Sequence, residues 1–279
     1  MIIALAVILA TLLYAVGGER GILTFLTLCW NIAVLSLSII MISWGWEPIT
    51  ITFLSCLLIC SATLFYQNGR NAKTFSAFWS VILILVILIL PAYLLGLNSH
   101  IQGLNELMLR EDEIMGLTPN ININIVKIAV SMMITGLIGA ATDTSMAISS
   151  AVYEVFRNNR QLSLGELFRS GVHIGRDVLG TTVNTLYFAC IGESMMMFLL
   201  FKSYHYSFWR LINSKAFFQE FTDIMFSCLA CILVIPLSAA VTSCILKRPE
   251  KFKRFLDEDE LFLYLKDNGQ PGQIPDRDK

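Results

Sequence analysis

The feature that most constrains this chain is its run of long apolar blocks, each about the length needed to cross a bilayer. A helix needs about 20 apolar residues to span a ~30 Å hydrocarbon core, and windows of that size delimit seven spans. They fall near residues 2–16, 22–43, 49–66, 75–97, 125–152, 179–202 and 222–246. Only 15% of the 279 residues are charged and 56% are hydrophobic, where a soluble domain carries about a quarter charged. The expected fold is therefore all-α, a polytopic membrane helix bundle over residues 1–247, followed by a partly disordered cytoplasmic tail over 248–279. The first block, "MIIALAVILATLLYAVGG", is short. It lacks the basic n-region of a signal peptide, so it is expected to be retained as a helix.

Basic residues orient the bundle. With the carboxyl terminus in the cytoplasm, Arg20, Arg70, Lys73, Arg157, Arg160, Arg169, Arg176, Lys247, Arg248, Lys251, Lys253 and Arg254 lie inside, against Arg110, Lys202, Arg210 and Lys215 outside. The positive-inside rule then predicts N-out, C-in. The acidic loop "NELMLREDEI" falls outside, and "KRPEKFKR" makes a basic juxtamembrane patch suited to anionic headgroups. "FLDEDELFLYLKD" reads as a short amphipathic helix. A formal net charge of −1 offers nothing to nucleic acid. The seven cysteines sit in or at the ends of apolar blocks and read as small packing residues. Cys228 and Cys231 have CxxC spacing without the second ligand pair of a zinc site. The histidines occupy three separate segments, so no cofactor is expected and no metal is assigned. Pro91 and Pro236 are predicted to kink their helices, and Lys127 to snorkel at the outer surface.

The polar residues concentrate in the fifth and sixth blocks. In "GLIGAATDTSMAISSAVYEV", Gly136, Gly139, Ala140, Asp143, Ala147, Ser150 and Glu154 recur at helical spacing and form one stripe. Its small residues permit close helix approach. Asp143 lies ~13 Å along the axis from residue 152, inside the hydrocarbon, where an aspartate costs about 2.5–3.5 kcal/mol. It therefore needs a partner, water or a proton. Thr142, Thr144, Ser145 and Ser149 are expected to widen its polar surface.

The next segment, "LSLGELFRSGVHIGRDVLGTTVNTL", opens with a capping box, Ser163 to Glu166. A short amphipathic stretch should lie along the cytoplasmic face, with Gly171, Gly175 and Gly180 loosening the backbone before the sixth span. Asp177, Thr181 and Asn184 share a face of that span, with Thr185 beyond. Because the two helices are antiparallel, Asp143 is expected to meet Thr181, Asn184 or Arg176 across their interface.

Three roles remain open for this cluster. It is a transport site in which Asp143 titrates or binds a cation, or a polar lock between helices, or an intramembrane enzyme. The last requires a second acid at matching depth, and Glu193 lies nearer the outer side. An enzyme is not expected. There is no P-loop lysine, and "GVHIGRDVLG" lacks the spacing of a dinucleotide fingerprint.

These two segments together resemble the YibE/F-like family of bacterial membrane proteins. The shared pattern is a G-x-x-GA-x-x-D helix with a following glutamate, then G-x-x-IGRD-x-x-GT-x-x-NTL. Here it is carried by Gly136, Gly139, Ala140, Asp143 and Glu154, then by Gly171, Ile174, Gly175, Arg176, Asp177, Gly180, Thr181, Asn184, Thr185 and Leu186. His173 departs from the uncharged residue expected there and takes no inherited role. The short first helix ending in "VGGERG" resembles the F-type members, which lack a long extracytoplasmic insertion. The resemblance implies a multi-pass protein of the bacterial plasma membrane, found largely in Gram-positive bacteria, with a permease role. It also implies assembly with a homologous E-type membrane subunit, a homo-oligomer being the other possibility.

Overall fold

A computed structural model describes residues 1–98 and 125–247, and these are helical almost throughout. The acidic loop, the basic patch and the amphipathic tail segment lie outside the described residues. In chain order the helices are α1 (Ile2–Ser43), α2 (Pro48–Ser61, continued by a π-helical turn, Ala62–Tyr66), α3 (Ala72–Asn98) and α4 (Ile125–Asn158). They continue with α5 (Leu164–Ser203), a short α6 (Phe208–Ile212) and α7 (Lys215–Lys247). Six of them are long and apolar enough to cross a membrane, so the chain is a membrane protein associated with a lipid bilayer.

The first two apolar windows form a single helical element with a break at Gly18, where φ is 56° and ψ is −134°. Only glycine adopts that backbone conformation without strain. Its effect is large. A side chain on Gly21 would run into the backbone of Leu13, although residues eight apart in a straight helix are separated by ~12 Å along the axis. The chain therefore turns sharply at the Gly17-Gly18 pair, and α1 has two arms. The second arm is tied to the π-helical turn and its C-terminal flank by Asn31 Nδ2 donating to Thr63 Oγ1 and Gln67 Nε2 donating to Thr24 Oγ1, both at 3.1 Å.

Local chemistry sets the other boundaries. Gly45, at φ 89°, ends α1 and lets the chain reverse. Pro48 occupies the first turn of α2, where its missing N–H costs nothing. Lys127 at the start of α4 pairs with Glu47 beside that turn at 2.6 Å, so it has a protein partner as well as a route to water. Helices α3 and α7 continue as helices through Pro91 and Pro236.

Helix α4 is central, packed against α2, α3, α5 and α7, while α1 packs chiefly on α2 and the π-helical turn. The main core joins Cys60, Leu64, Val81, Leu85, Leu137 and Val234. A second cluster holds Ile148, Val152, Leu167, Ile235 and Ala239 where α5 meets α4 and α7.

Helix α5 corrects one sequence expectation. The capping box is present: Ser163 N donates to Glu166 Oε2 at 2.7 Å, and Glu166 N donates to Ser163 Oγ at 3.3 Å. The helix then runs unbroken for 40 residues, ~60 Å. There is no separate interfacial stretch and no glycine hinge. Gly171 and Gly175 are needed for packing instead. A Cβ on Gly171 would lie 2.5 Å from Val152 and 2.9 Å from Ala239, and one on Gly175 would collide with Ile235 and sit 3.2 Å from Ile148. Close approach to two neighbours seats this part of α5 against α4 and α7.

Candidate functional site

The same glycine contacts define the register of the α4/α5 hairpin. Gly171 stands opposite Val152 and Gly175 opposite Ile148, so a step of four along α5 matches a step of four back along α4. Continued, this register sets Arg169 level with Glu154, Arg176 level with Ala147, Gly180 level with Asp143 and Asn184 level with Gly139. Asp143 lies ~22 Å along the axis from the loop end of α4, at hydrocarbon depth.

Polar residues of α4 divide between two opposite sides. On the inner side, Ser145, Ser149 and Thr144 are buried, with Thr142 close behind. Ser145 Oγ donates to the Ala77 carbonyl at 3.0 Å and shares a 2.8 Å hydrogen bond with Ser238. Thr242 Oγ1 lies 3.0 Å from Ser76 Oγ and 3.1 Å from Ser149 Oγ. Thr142 donates to the Ile138 carbonyl at 2.7 Å, and Thr144 lies 3.5 Å from Cys231 Sγ. These hydroxyls therefore join α3, α4 and α7. They do not widen the surface around Asp143, as the sequence had led us to expect.

On the outer side, Gly136, Gly139, Asp143, Ala147 and Glu154 are all exposed and Ser150 is half-buried, whereas Ala140 is buried. The corresponding face of α5 is exposed at Arg176, Asp177, Gly180, Thr181, Asn184 and Thr185. Every residue of the two-part motif except the packing glycines, Ala140 and the half-buried Ser150, Ile174 and Leu186 thus faces away from its own chain. The motif glycines follow the same division. Among the described residues nothing beyond the helix itself lies within 4 Å of a Cβ built on Gly139 or Gly180, and one on Gly136 would meet Ser227 Oγ at 3.8 Å.

The expected contacts of Asp143 with Thr181, Asn184 or Arg176 are not made within one chain. Among the described residues no hydrogen bond or ion pair joins them, the one ion pair being Lys127 with Glu47. For Arg176 the register explains this. Helical side chains lean toward the N-terminus of their own helix, and the helices are antiparallel. Arg176 starts four residues from the level of Asp143, and the two side chains lean further apart. Asn184 leans toward the level of Asp143, but both point outward. Thr181 and Thr185 spend their protons on the carbonyls of Val178 and Thr181, each at 2.9 Å, leaving lone pairs facing out. The exposed sides of α4 and α5 therefore offer the carboxylates of Asp143, Glu154 and Asp177, two hydroxyl oxygens and the Asn184 amide, together with the Arg176 guanidinium. Oxygen ligands of this kind suit a cation.

At the loop end of α5, Leu162, Glu166, Arg169, Ser170, His173 and Arg176 line a shallow cleft of about 580 Å³. His173, given no role on the family pattern, stands here between Arg169 and Arg176 at i, i+4, i+7 spacing. Cys228 and Cys231 are free thiols. No curated protein and no solved structure matches the chain. The family profile described as YibE/F-like protein matches residues 5–248, covering both arms of α1, the polar hairpin and α7, and the chain therefore belongs to the YibE/F-like family.

Proposed function

We propose that this protein is a subunit of a transporter in the bacterial plasma membrane, and that the outer face of α4 and α5 binds a small cation once another subunit covers it. The observation that carries this reading is the position of Asp143. Its carboxylate stands at hydrocarbon depth and is exposed, with no hydrogen bond or ion pair among the described residues, one helical turn from Gly139, which leaves open space beside the helix. Intramembrane acids are costly enough to mark ion pathways. Here the cost is met by a bound ion or proton and by a covering helix. The role is binding and passage, with no bond-breaking step.

The test is Asp143→Asn in proteoliposomes, which keeps size and hydrogen bonding but removes the charge. Loss of cation-coupled flux from correctly inserted protein is expected. Undiminished flux overturns the role of Asp143. A second reading, a scaffold that assembles without transporting, draws on the same outward orientation, since a covering subunit alone would satisfy the polar groups. It predicts that Asp143→Asn alters assembly while no solute flux is found in either protein.

A further inference from the structure

We propose that the groove between the second arm of α1 and the π-helical end of α2 holds one anionic phospholipid, its phosphate against Arg70 and an acyl chain along the groove. This site is separate from the exposed sides of α4 and α5 and does not depend on the transport reading.

Side-chain size makes the groove. Thr27 is buried and Ser61 and Ala62 are half-buried, and these small residues form its floor. Thr27 spends its proton on the Leu23 carbonyl at 2.8 Å. The bulkier walls come from Trp30 on α1 and from Leu58 and Phe65 on α2 and its π-helical turn. Hydrogen bonds from Asn31 to Thr63 and from Gln67 to Thr24 hold the two helices together beside it. The hollow has a volume of about 550 Å³, within the ~300–1,000 Å³ of small-molecule sites. Turns of π-helix recur at functional sites, and this one contributes Ala62, Phe65 and Tyr66 to the lining.

Polarity changes along the groove as it does across one leaflet. Leu58 lies ~15 Å along the axis from Asn68, about half of the ~30 Å hydrocarbon core. The deep end is apolar at Leu58, and the other end carries Tyr66 and Arg70, both exposed. No acid lines the groove, and Arg70 has no ion pair among the described residues. Glu19 and Arg20, at the same end of the bundle, line no part of it and offset each other in charge. Lys73 lies over the ring of Tyr153 instead. The positive-inside rule puts Arg70 on the cytoplasmic side, where the leaflet is anionic and basic pockets between helices hold acidic headgroups. A lipid phosphate above a hydrocarbon chain matches this gradient from end to end. A protein helix apolar along its whole length would leave Arg70 unmatched.

The test uses full-length protein in which Trp30 is the only tryptophan, Trp44, Trp46, Trp79 and Trp209 being replaced by phenylalanine. It is reconstituted into phosphatidylcholine vesicles containing either brominated phosphatidylglycerol or brominated phosphatidylcholine, and quenching of Trp30 gives their relative affinity. The anionic lipid should be favoured about fivefold, the factor that one basic residue near anionic charge supplies. Arg70→Gln should bring the ratio to about one, and Arg70→Lys should keep it. Arg20→Gln, which removes the same charge at the same end, should leave the ratio unchanged. A ratio of one in the wild type overturns the proposal, as does a preference that survives Arg70→Gln. Equal loss in Arg70→Gln and Arg20→Gln would assign the preference to general surface charge and overturn the site. Trp30 that neither lipid quenches would mean that protein covers the groove, which overturns it too.

Discussion

Asp143 and Ser145 stand two residues apart on α4 and point to opposite sides of it: Ser145 is fully buried and bonded to Ala77 and Ser238, while Asp143 is open to the outside of the chain. A helix with two polar sides cannot satisfy both within one bundle. The inner side is satisfied by α3 and α7. The outer side is left without a partner among the described residues.

The motif glycines should separate into two classes on substitution. Gly175→Ala puts a methyl group into Ile235, and Gly171→Ala puts one against Val152 and Ala239. Overpacking of this kind costs about 1–3 kcal/mol, and a lower melting temperature in detergent is expected for each. Gly139→Ala and Gly180→Ala meet nothing within 4 Å among the described residues, so the melting temperature of the isolated chain should hold. Equal destabilisation by all four would contradict the packing described.

The inner hydroxyls should show coupling. A double-mutant cycle with Ser145→Ala and Ser238→Ala should return about 0.6 kcal/mol, the average for hydrogen bonds between membrane helices. Reversible unfolding in mixed micelles measures it. A value indistinguishable from zero would mean that the 2.8 Å contact contributes geometry without energy.

The turn at Gly18 should be intolerant of any side chain. Its φ of 56° with ψ of −134° lies in a region that costs other residues about 1–3 kcal/mol. Gly18→Ala should therefore destabilise the protein or straighten α1. Distances between spin labels placed in the two arms would distinguish these outcomes. Gly17→Ala, with open space and no unusual φ, is the control and should leave them unchanged.

The Lys127–Glu47 pair should matter little to stability. Both side chains are substantially exposed, at 30% and 51%, and exposed pairs contribute under about 1 kcal/mol. Glu47→Gln is expected to shift the thermal midpoint by no more than raising the salt concentration does. A large loss would place the pair in a drier setting than its exposure implies.

Residue order alone determined the membrane character, the all-α class, the approximate positions of the apolar helices and the capping box at Ser163. Each depends on local quantities: apolar length and the short reach from Ser163 to Glu166. The same reading identified the stripe through Asp143 and its counterpart on α5. It did not show which way either stripe faced. In a soluble protein, hydrophobic periodicity marks the inside of a helix. In a bilayer the lipid-facing and core-facing sides are both apolar, and that signal is lost. Only tertiary packing decided that Ser145 faces inward and Asp143 outward, that Gly171 and Gly175 are contacts and not hinges, and that Asp143 reaches neither Arg176 nor Asn184 within its own chain. These outcomes depend on how α5 is seated against Val152, Ile148, Ile235 and Ala239, residues far apart in sequence whose volumes fix the depth and rotation of the helix. The chemistry of the hairpin is written locally, but its orientation is set by the packing of α5 on α4 and α7.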